Sequence, residues 1–206
     1  MNWREQVSLQ MMTTFRVPAT ARYFATFNHP DNLSELLPDH RPLLILGGGS
    51  NLLFTQNYAG YVLKNEIRGI ELLHEDEQYV ILKAGAGENW NDLVHYAISR
   101  NWGGLENLAL IPGSVGAAPI QNIGAYGVEL VNSFWSLEAY HIEDRRVVTF
   151  TASDCEFGYR DSIFKRSLKE QIIILSVTFR LSKQPVFHIT YPALEQELHR
   201  RGVKQL

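Results

Sequence analysis

The segment Gly47-Gly48-Gly49-Ser50-Asn51 follows the apolar run Leu43-Leu44-Ile45-Leu46 and leads directly into Leu52-Leu53-Phe54. Three successive glycines let neighbouring backbone N–H groups point the same way and approach a phosphate without Cβ clashes. Ser50 and Asn51 add donors. No Lys-Ser/Thr pair follows, so the segment is not a P-loop, and a flexible turn between strands is the competing reading. Gly85-Ala86-Gly87 partly matches the dinucleotide-binding pattern, but Trp90 stands where its third glycine would be. The spacing therefore predicts a strand-to-helix turn. The stretch Leu108 to Val128, LALIPGSVGAAPIQNIGAYGV, holds Gly113, Gly116, Gly124 and Gly127 with Ser114, Ala117, Ala118 and Ala125, and almost no charge. Backbone so poor in side chains is costly in entropy unless something packs closely on it. A flat or extended ligand, oriented by Gln121, Asn122 and Tyr126, explains it; a tightly packed small-residue turn between domains is the alternative. In Phe157-Gly158-Tyr159-Arg160-Asp161-Ser162 a guanidinium follows a glycine set between aromatics. An arginine can take a carboxylate bidentately and stabilise an enolate as it develops, although from this segment alone an Arg160–Asp161 surface pair is the plainer reading.

The histidines His29, His40, His74, His95, His141, His188 and His199 show no paired metal-ligand spacing, and no metal site is expected. The single cysteine, Cys155, can form neither an internal disulfide nor a thiolate zinc site, and reads as a small buried hydrophobe in a reducing compartment.

Strands are expected at Leu43–Leu46, Tyr61–Leu63, Tyr79–Leu82, Arg146–Phe150 and Ile172–Leu181, with a further strand between Ser133 and Ile142 forming a hairpin with Arg146–Phe150. On the last strand, strict alternation places Ile173, Leu175, Val177, Phe179 and Leu181 on one continuous apolar face. A helix is expected between Asn89 and Arg100, because Trp90, Leu93, Val94, Ala97 and Ile98 form one stripe and Gly103-Gly104 can stop it. Shorter helices are expected over Thr151–Phe157, capped by Thr151 with Asp154, and from Pro192 through Leu194 and Leu198 to Gly202. Strands outnumber helices without one-for-one alternation, which favours an α+β fold.

The chain has 206 residues with 19 Lys+Arg and 22 Asp+Glu, so 19 − 22 = −3, which sets aside general nucleic-acid or anionic-membrane binding. Its 45% hydrophobic share, 15 Gly and 8 Pro exclude low-complexity and collagen-like classes. There is no signal-peptide pattern after Met1 and no apolar run near the ~20 residues a bilayer requires, so the expectation is a soluble cytoplasmic protein.

In order along the chain, GGGSNLLF at 47–54, GAGENW at 85–90, GLENLALIPGSVGAAPIQNIGAYGVE at 104–129 and FGYRDSIFK at 157–165 closely resemble the UDP-N-acetylenolpyruvoylglucosamine reductase family. The resemblance runs from Thr14 to Leu198, and Ile189-Thr190-Tyr191 stands where the tyrosine loop of one subtype lies. It implies a bacterial flavoenzyme with the FAD-binding fold shared by vanillyl-alcohol oxidase and p-cresol methylhydroxylase. Residues 1–70 and 71–190 would form two α+β subdomains sandwiching non-covalent FAD, and 191–206 would begin the tyrosine-loop and substrate region. Cofactor contacts are implied for Leu46, Gly47, Gly48, Gly49, Ser50, Asn51 and Leu52 around the pyrophosphate. Further contacts are implied for Ile111, Pro112, Gly113, Ser114, Gly116, Ala117, Ile120, Asn122, Gly124, Ala125, Tyr126, Gly127 and Val128 along the flavin.

In this family NADPH reduces the flavin and is replaced by UDP-N-acetylglucosamine enolpyruvate, whose vinyl ether takes hydride to give UDP-N-acetylmuramate for peptidoglycan precursors. The resemblance makes Arg160 the catalytic group on the substrate carboxylate, in place of the surface-pair reading. Tyr159 would flank that pocket and Tyr191 would reach the UDP part. The family's substrate-binding domain, with its proton-donating serine and a late glutamate, has no counterpart before Leu206. The expectation is a chain that holds FAD and turns over poorly or not at all; a non-catalytic flavin-binding module or an inactive fragment is the alternative. Oligomeric state is left open.

Overall fold

The first sheet combines Arg4–Ser8 (β1), Thr20–Phe27 (β2), Leu43–Leu46 (β3) and Tyr58–Asn65 (β4) in the order β1-β2-β4-β3. The structure is a computed structural model that describes residues 3–38 and 42–203, so His40 and the ends Met1 and Leu206 lie outside the described residues. β2 and β3 both run parallel to β4, and β1 is antiparallel to β2. Parallel strands are typically buried on both faces. Accordingly, Phe24 and Val62 pack in one apolar cluster while Ala25, Phe27 and Leu63 pack in another. The chain crosses between β2 and β3 through a short helix, Leu33–Leu36 (α1), whose Leu33 and Leu36 join the second cluster.

The second sheet is antiparallel, with Ile70–Glu75 (β5), Tyr79–Gly85 (β6), Phe134–His141 (β9), Arg146–Thr151 (β10) and Ile172–Ser182 (β11) in the order β10-β9-β11-β6-β5. Between β6 and β9 lie the helix Trp90–Ile98 (α2) and a two-strand ribbon, Gly124–Ala125 (β7) with Val128–Glu129 (β8). The helices Ala152–Cys155 (α3) and Pro192–Arg200 (α4) follow β10 and β11. The α+β expectation is borne out, as is the hairpin of β9 with β10.

Strict alternation fails on β11. A register shift between Ile174 and Ser176, with Leu175 the extra residue, divides its apolar residues between two cores, while a second shift, between Thr178 and Phe179, puts its extra residue, Trp135, on β9. Ile173 and Leu175 face the cluster shared with β2 and β4, whereas Ile174, Val177, Phe179 and Leu181 face the α2 side. A bulge inserts one unpaired residue and re-aims those that follow, so one strand can bridge both halves of the molecule. Burying such Leu, Ile and Phe side chains contributes ~1.5–3 kcal/mol each. The buried Asn65 side chain reinforces the junction, donating to the Ile174 carbonyl at 2.8 Å and accepting from Ile67 N–H at 3.1 Å.

Trp90, Leu93, Val94 and Ala97 of α2 are buried as expected, but Ile98 is 42% exposed and falls outside the stripe. Asn89 caps the helix, accepting from Asp92 N–H at 3.1 Å. The chain leaves α2 through Asn101, whose φ is +57°, so asparagine makes the left-handed exit ahead of Gly103-Gly104. Thr151 and Asp154 cap α3 as expected, with Thr151 N–H 2.8 Å from the carboxylate. Burial raises the Cys155 thiol on α3 to about 12, so at neutral pH it is a packing group and not a nucleophile.

Candidate functional site

Three of the four glycine-bearing segments converge where the two sheets meet. β3 ends in buried Leu46, and the next three residues carry no side chain because none would fit. A Cβ on Gly47 would run into Ser114 Oγ, and one on Gly48 would lie 2.9 Å from Gly113 Cα. Gly49, at φ +65°, is backed against the Met12 carbonyl, and its own carbonyl accepts from Thr14 N–H at 3.1 Å. Ser50 Oγ donates to the Pro112 carbonyl at 3.1 Å, fastening the first glycine loop to the second.

The second loop rests in turn on the β6–α2 turn. Trp90 N–H donates to Gly113 O at 3.1 Å, Val115 N–H to Glu88 O at 2.9 Å and Gly116 N–H to Ala86 O at 2.9 Å. Gly116 would meet Ala86 Cβ at 2.6 Å if it carried a Cβ, so its role is close packing. Gly85-Ala86-Gly87 is thus the strand-to-helix turn expected of it, and it supports the second loop from beneath.

Three adjoining cavities share Gly113. The first, about 390 Å³, is lined by Gly47, Gly48, Gly113, Ser114 and Asn89 together with Arg16, Lys64 and Arg68. The second, about 460 Å³, is lined by Ser50, Asn51, Trp90, Ile111, Pro112, Ala117, Ile120, Gln121 and Ile123, with Arg160 also on its wall. The third, about 420 Å³, is formed by Thr14, Gly48, Ser50, Asn91 and Leu110 to Gly113. A larger cavity of about 930 Å³ lies elsewhere, against Trp135 and the Arg180 guanidinium stacked 3.7 Å over Tyr79; of the residues expected to contact cofactor, it holds Val128 alone.

Arg160 sits on a tight turn in which Gly158 and Asp161 exchange backbone hydrogen bonds at 3.0 and 3.2 Å. Its φ is +54°, a left-handed conformation that arginine adopts only under restraint, and Tyr159 beside it is 84% exposed. The surface pair with Asp161 does not form. Asp161 pairs with Arg166 at 3.0 Å, and Arg160 Nη2 donates to the Gly124 carbonyl at 2.5 Å. Among the described residues no carboxylate pairs with Arg160, whose remaining N–H groups can still meet an anion.

Ala125 and Val128 are joined by Tyr126 and Gly127, at φ +51° and +81°, the pairing of a type I′ hairpin. This ribbon lines none of the three adjoining cavities. Tyr126 meets Tyr191 edge-on at 5.5 Å, and Asn107 Nδ2 links the two segments, donating to His188 O at 2.7 Å and Tyr126 O at 3.2 Å. Leu46, Gly49, Leu52, Gly116 and Asn122 also lie outside the lining of the three cavities.

One sequence expectation is corrected. Asn122 is 1% exposed, and its side-chain amide is engaged entirely by protein groups, so it does not orient a ligand by side-chain hydrogen bonds. Arg16, Lys64, Arg68 and Asn107 were not foreseen, because they come from separated segments with no local motif.

The chemistry of the lining fits FAD. Abutting glycine loops present backbone where a Cβ would clash, three cations stand beside them with Arg68 paired to Glu88 and Lys64 to Glu66, and an apolar slot adjoins with a guanidinium on its wall. Residues 25–149, more than half of the chain, match the FAD binding domain, and the chain belongs to that family. It is 50% identical over 202 residues to the UDP-N-acetylenolpyruvoylglucosamine reductase of Amoebophilus asiaticus, covering 96% of this chain and 60% of that relative. It is 47% identical over 194 residues to the enzyme of the same name from Burkholderia lata, covering 92% and 56%. The chain thus spans between half and two thirds of the length of these curated relatives.

The crystal structure of MurB from Thermus caldophilus superposes with a TM-score of 0.70 at 25% identity, over 100% of this chain and 71% of that one. A solvent-stable cholesterol oxidase at 12% identity, with a TM-score of 0.57 over 88% of this chain and 38% of its own, shares the fold alone. Among the described residues, no helix is long and apolar enough to cross a membrane.

Proposed function

We propose that this chain is the FAD-holding part of an NADPH-dependent UDP-N-acetylglucosamine enolpyruvate reductase and supplies that reaction with its carboxylate-binding arginine. Two findings support this reading: the relatives' names, and the shared boundary at which both glycine loops and Arg160 meet. The cavity geometry is the observation that carries it. Gly47, Gly48, Gly113 and Ser114, with Arg16, Lys64 and Arg68, would hold the diphosphate, and Ile111 to Ile120 would line the flavin. When bound, FAD supplies the hydride that NADPH delivers to it.

The chain's own residues then bind and orient. Arg160 takes the enolpyruvyl carboxylate and favours the enolic charge that develops as the vinyl carbon is reduced. Tyr159 covers that group, and Tyr191, held against Tyr126, reaches the UDP moiety. In this reading residues 1–70 and 71–190 are the two FAD-binding subdomains and 191–206 open the substrate region. The site of action is the cytoplasm, which a single buried cysteine suits.

The test is a titration of the FAD-loaded protein with UDP-N-acetylglucosamine enolpyruvate, following the visible flavin band. A saturable shift, weaker with UDP-N-acetylglucosamine, is expected, and NADPH should bleach the same band. An unchanged spectrum with the enolpyruvyl compound would contradict the proposal.

A further inference from the structure

The turn carrying Arg160 is fastened to the second glycine loop at three alternating positions. Ser162 Oγ donates to Ile120 O at 2.7 Å, Asn122 Nδ2 to Gly158 O at 3.0 Å, and Arg160 Nη2 to Gly124 O at 2.5 Å. We propose that Asn122 is a positioning residue for Arg160: it sets where the guanidinium stands without taking part in holding FAD. This deepens the proposed function and rests on it.

Both donors of the Asn122 amide and one lone pair of its oxygen are engaged by protein groups. Its Oδ1 accepts from Val131 N–H at 3.1 Å, and its Nδ2 donates to Glu129 Oε2 at 3.0 Å as well as to Gly158 O. A backbone donor on one side and a carboxylate on the other fix which way the amide points. Asparagine also suits the backbone, since residue 122 has φ +42° and asparagine tolerates the left-handed region better than most side chains.

Arg160 needs such help. At φ +54° its backbone is in a conformation that surrounding bonds must impose, and the Gly158 carbonyl bonded by Asn122 lies two residues before it in the same turn. Ser162 anchors the far side of that turn. Without the Asn122 bond the near side loses its fixed point, and the guanidinium loses the placement that bidentate contact with a carboxylate demands.

The test compares affinities for UDP-N-acetylglucosamine enolpyruvate and UDP-N-acetylglucosamine, read from the flavin band of the FAD-loaded protein. Two variants are used: Asn122→Gly, which accepts the left-handed backbone, and Asn122→Asp, which keeps volume and acceptor but loses the donors. Both should retain FAD and lose roughly 10-fold of the preference for the enolpyruvyl compound, the scale of a charge-assisted hydrogen bond. Combining either with Arg160→Ala should cost no more than Arg160→Ala alone, a coupling that general destabilisation would not produce.

An unchanged preference, an additive double variant, or loss of FAD from both variants would overturn the inference. If Arg160→Ala itself leaves the preference intact, the carboxylate reading fails instead, so the two failures are distinguishable.

Discussion

The two ends of the site are built from different materials. Around Gly47, Gly48 and Gly113 the walls are backbone, so tightly abutted that a Cβ on Gly48 would lie 2.9 Å from the facing chain. Around Arg160 the working parts are side chains on strained backbone, with Tyr159 84% exposed and Arg160 and Tyr126 at positive φ. Backbone donors are set by the fold itself and cost little to organise, which suits a resident cofactor. Exposed side chains must be ordered when something binds, which suits a substrate that comes and goes. Substitutions at one end should therefore spare the other.

The strongest separation is expected from Arg160→Ala. It should retain FAD yet weaken binding of the enolpyruvyl compound by about 100-fold, the scale of losing a bidentate charge-assisted contact. Titration of the flavin band with that compound, beside the absorption spectrum of the loaded protein, checks both halves. Gly48→Val should do the reverse, weakening FAD itself by roughly 10- to 100-fold through overpacking against Gly113. Quenching of FAD fluorescence on titration measures it.

Asn107→Ala sharpens the comparison at its edge, since it cuts the amide that joins the Tyr191 segment to the Tyr126 ribbon. Losing about 1 kcal/mol of hydrogen bonding should weaken binding of the enolpyruvyl compound roughly fivefold with FAD binding intact, visible in the same flavin titration.

The smallest effect belongs to neither end. The hydrogen bond from Lys83 to Glu138, aided by Ser176, holds that carboxyl below its usual range. A lowered folded-state value stabilises above the ordinary carboxylate pKa and is lost as pH falls through the folded value. Glu138→Gln should therefore lower thermal stability at neutral pH by at most ~1 kcal/mol, because the side chain is 42% exposed, and the difference should vanish in acid. Thermal unfolding across pH follows it.

Where a local pattern carries the information, the sequence alone was legible. Trp90 to Ala97 announced α2, the β9–β10 hairpin followed from its turn residues, and the glycine runs pointed to a phosphate and a flat ligand. β2 escaped because Phe24 and the neighbouring Ala25 and Phe27 are buried in different clusters on its two sides, which breaks the alternation that marks a half-exposed strand. β5 escaped as an edge strand with most residues exposed. The division of β11 between two cores depends on a bulge at Leu175 that no periodicity shows. At the site the same distinction holds: Gly47 to Gly49 could be read from one segment, whereas Arg16, Lys64 and Arg68 meet only after folding, and the engagement of Asn122 depends on Glu129, Val131 and Gly158.

The central claim is tested most directly by a crystal structure of the protein with FAD. Density for the diphosphate beside Gly47, Gly48, Gly113 and Ser114, with the ring system against Ile111 to Ile120 and within reach of Arg160, is the expected result. A flavin seated in the larger cavity against Trp135 and Arg180, or no flavin under saturating FAD, would contradict it.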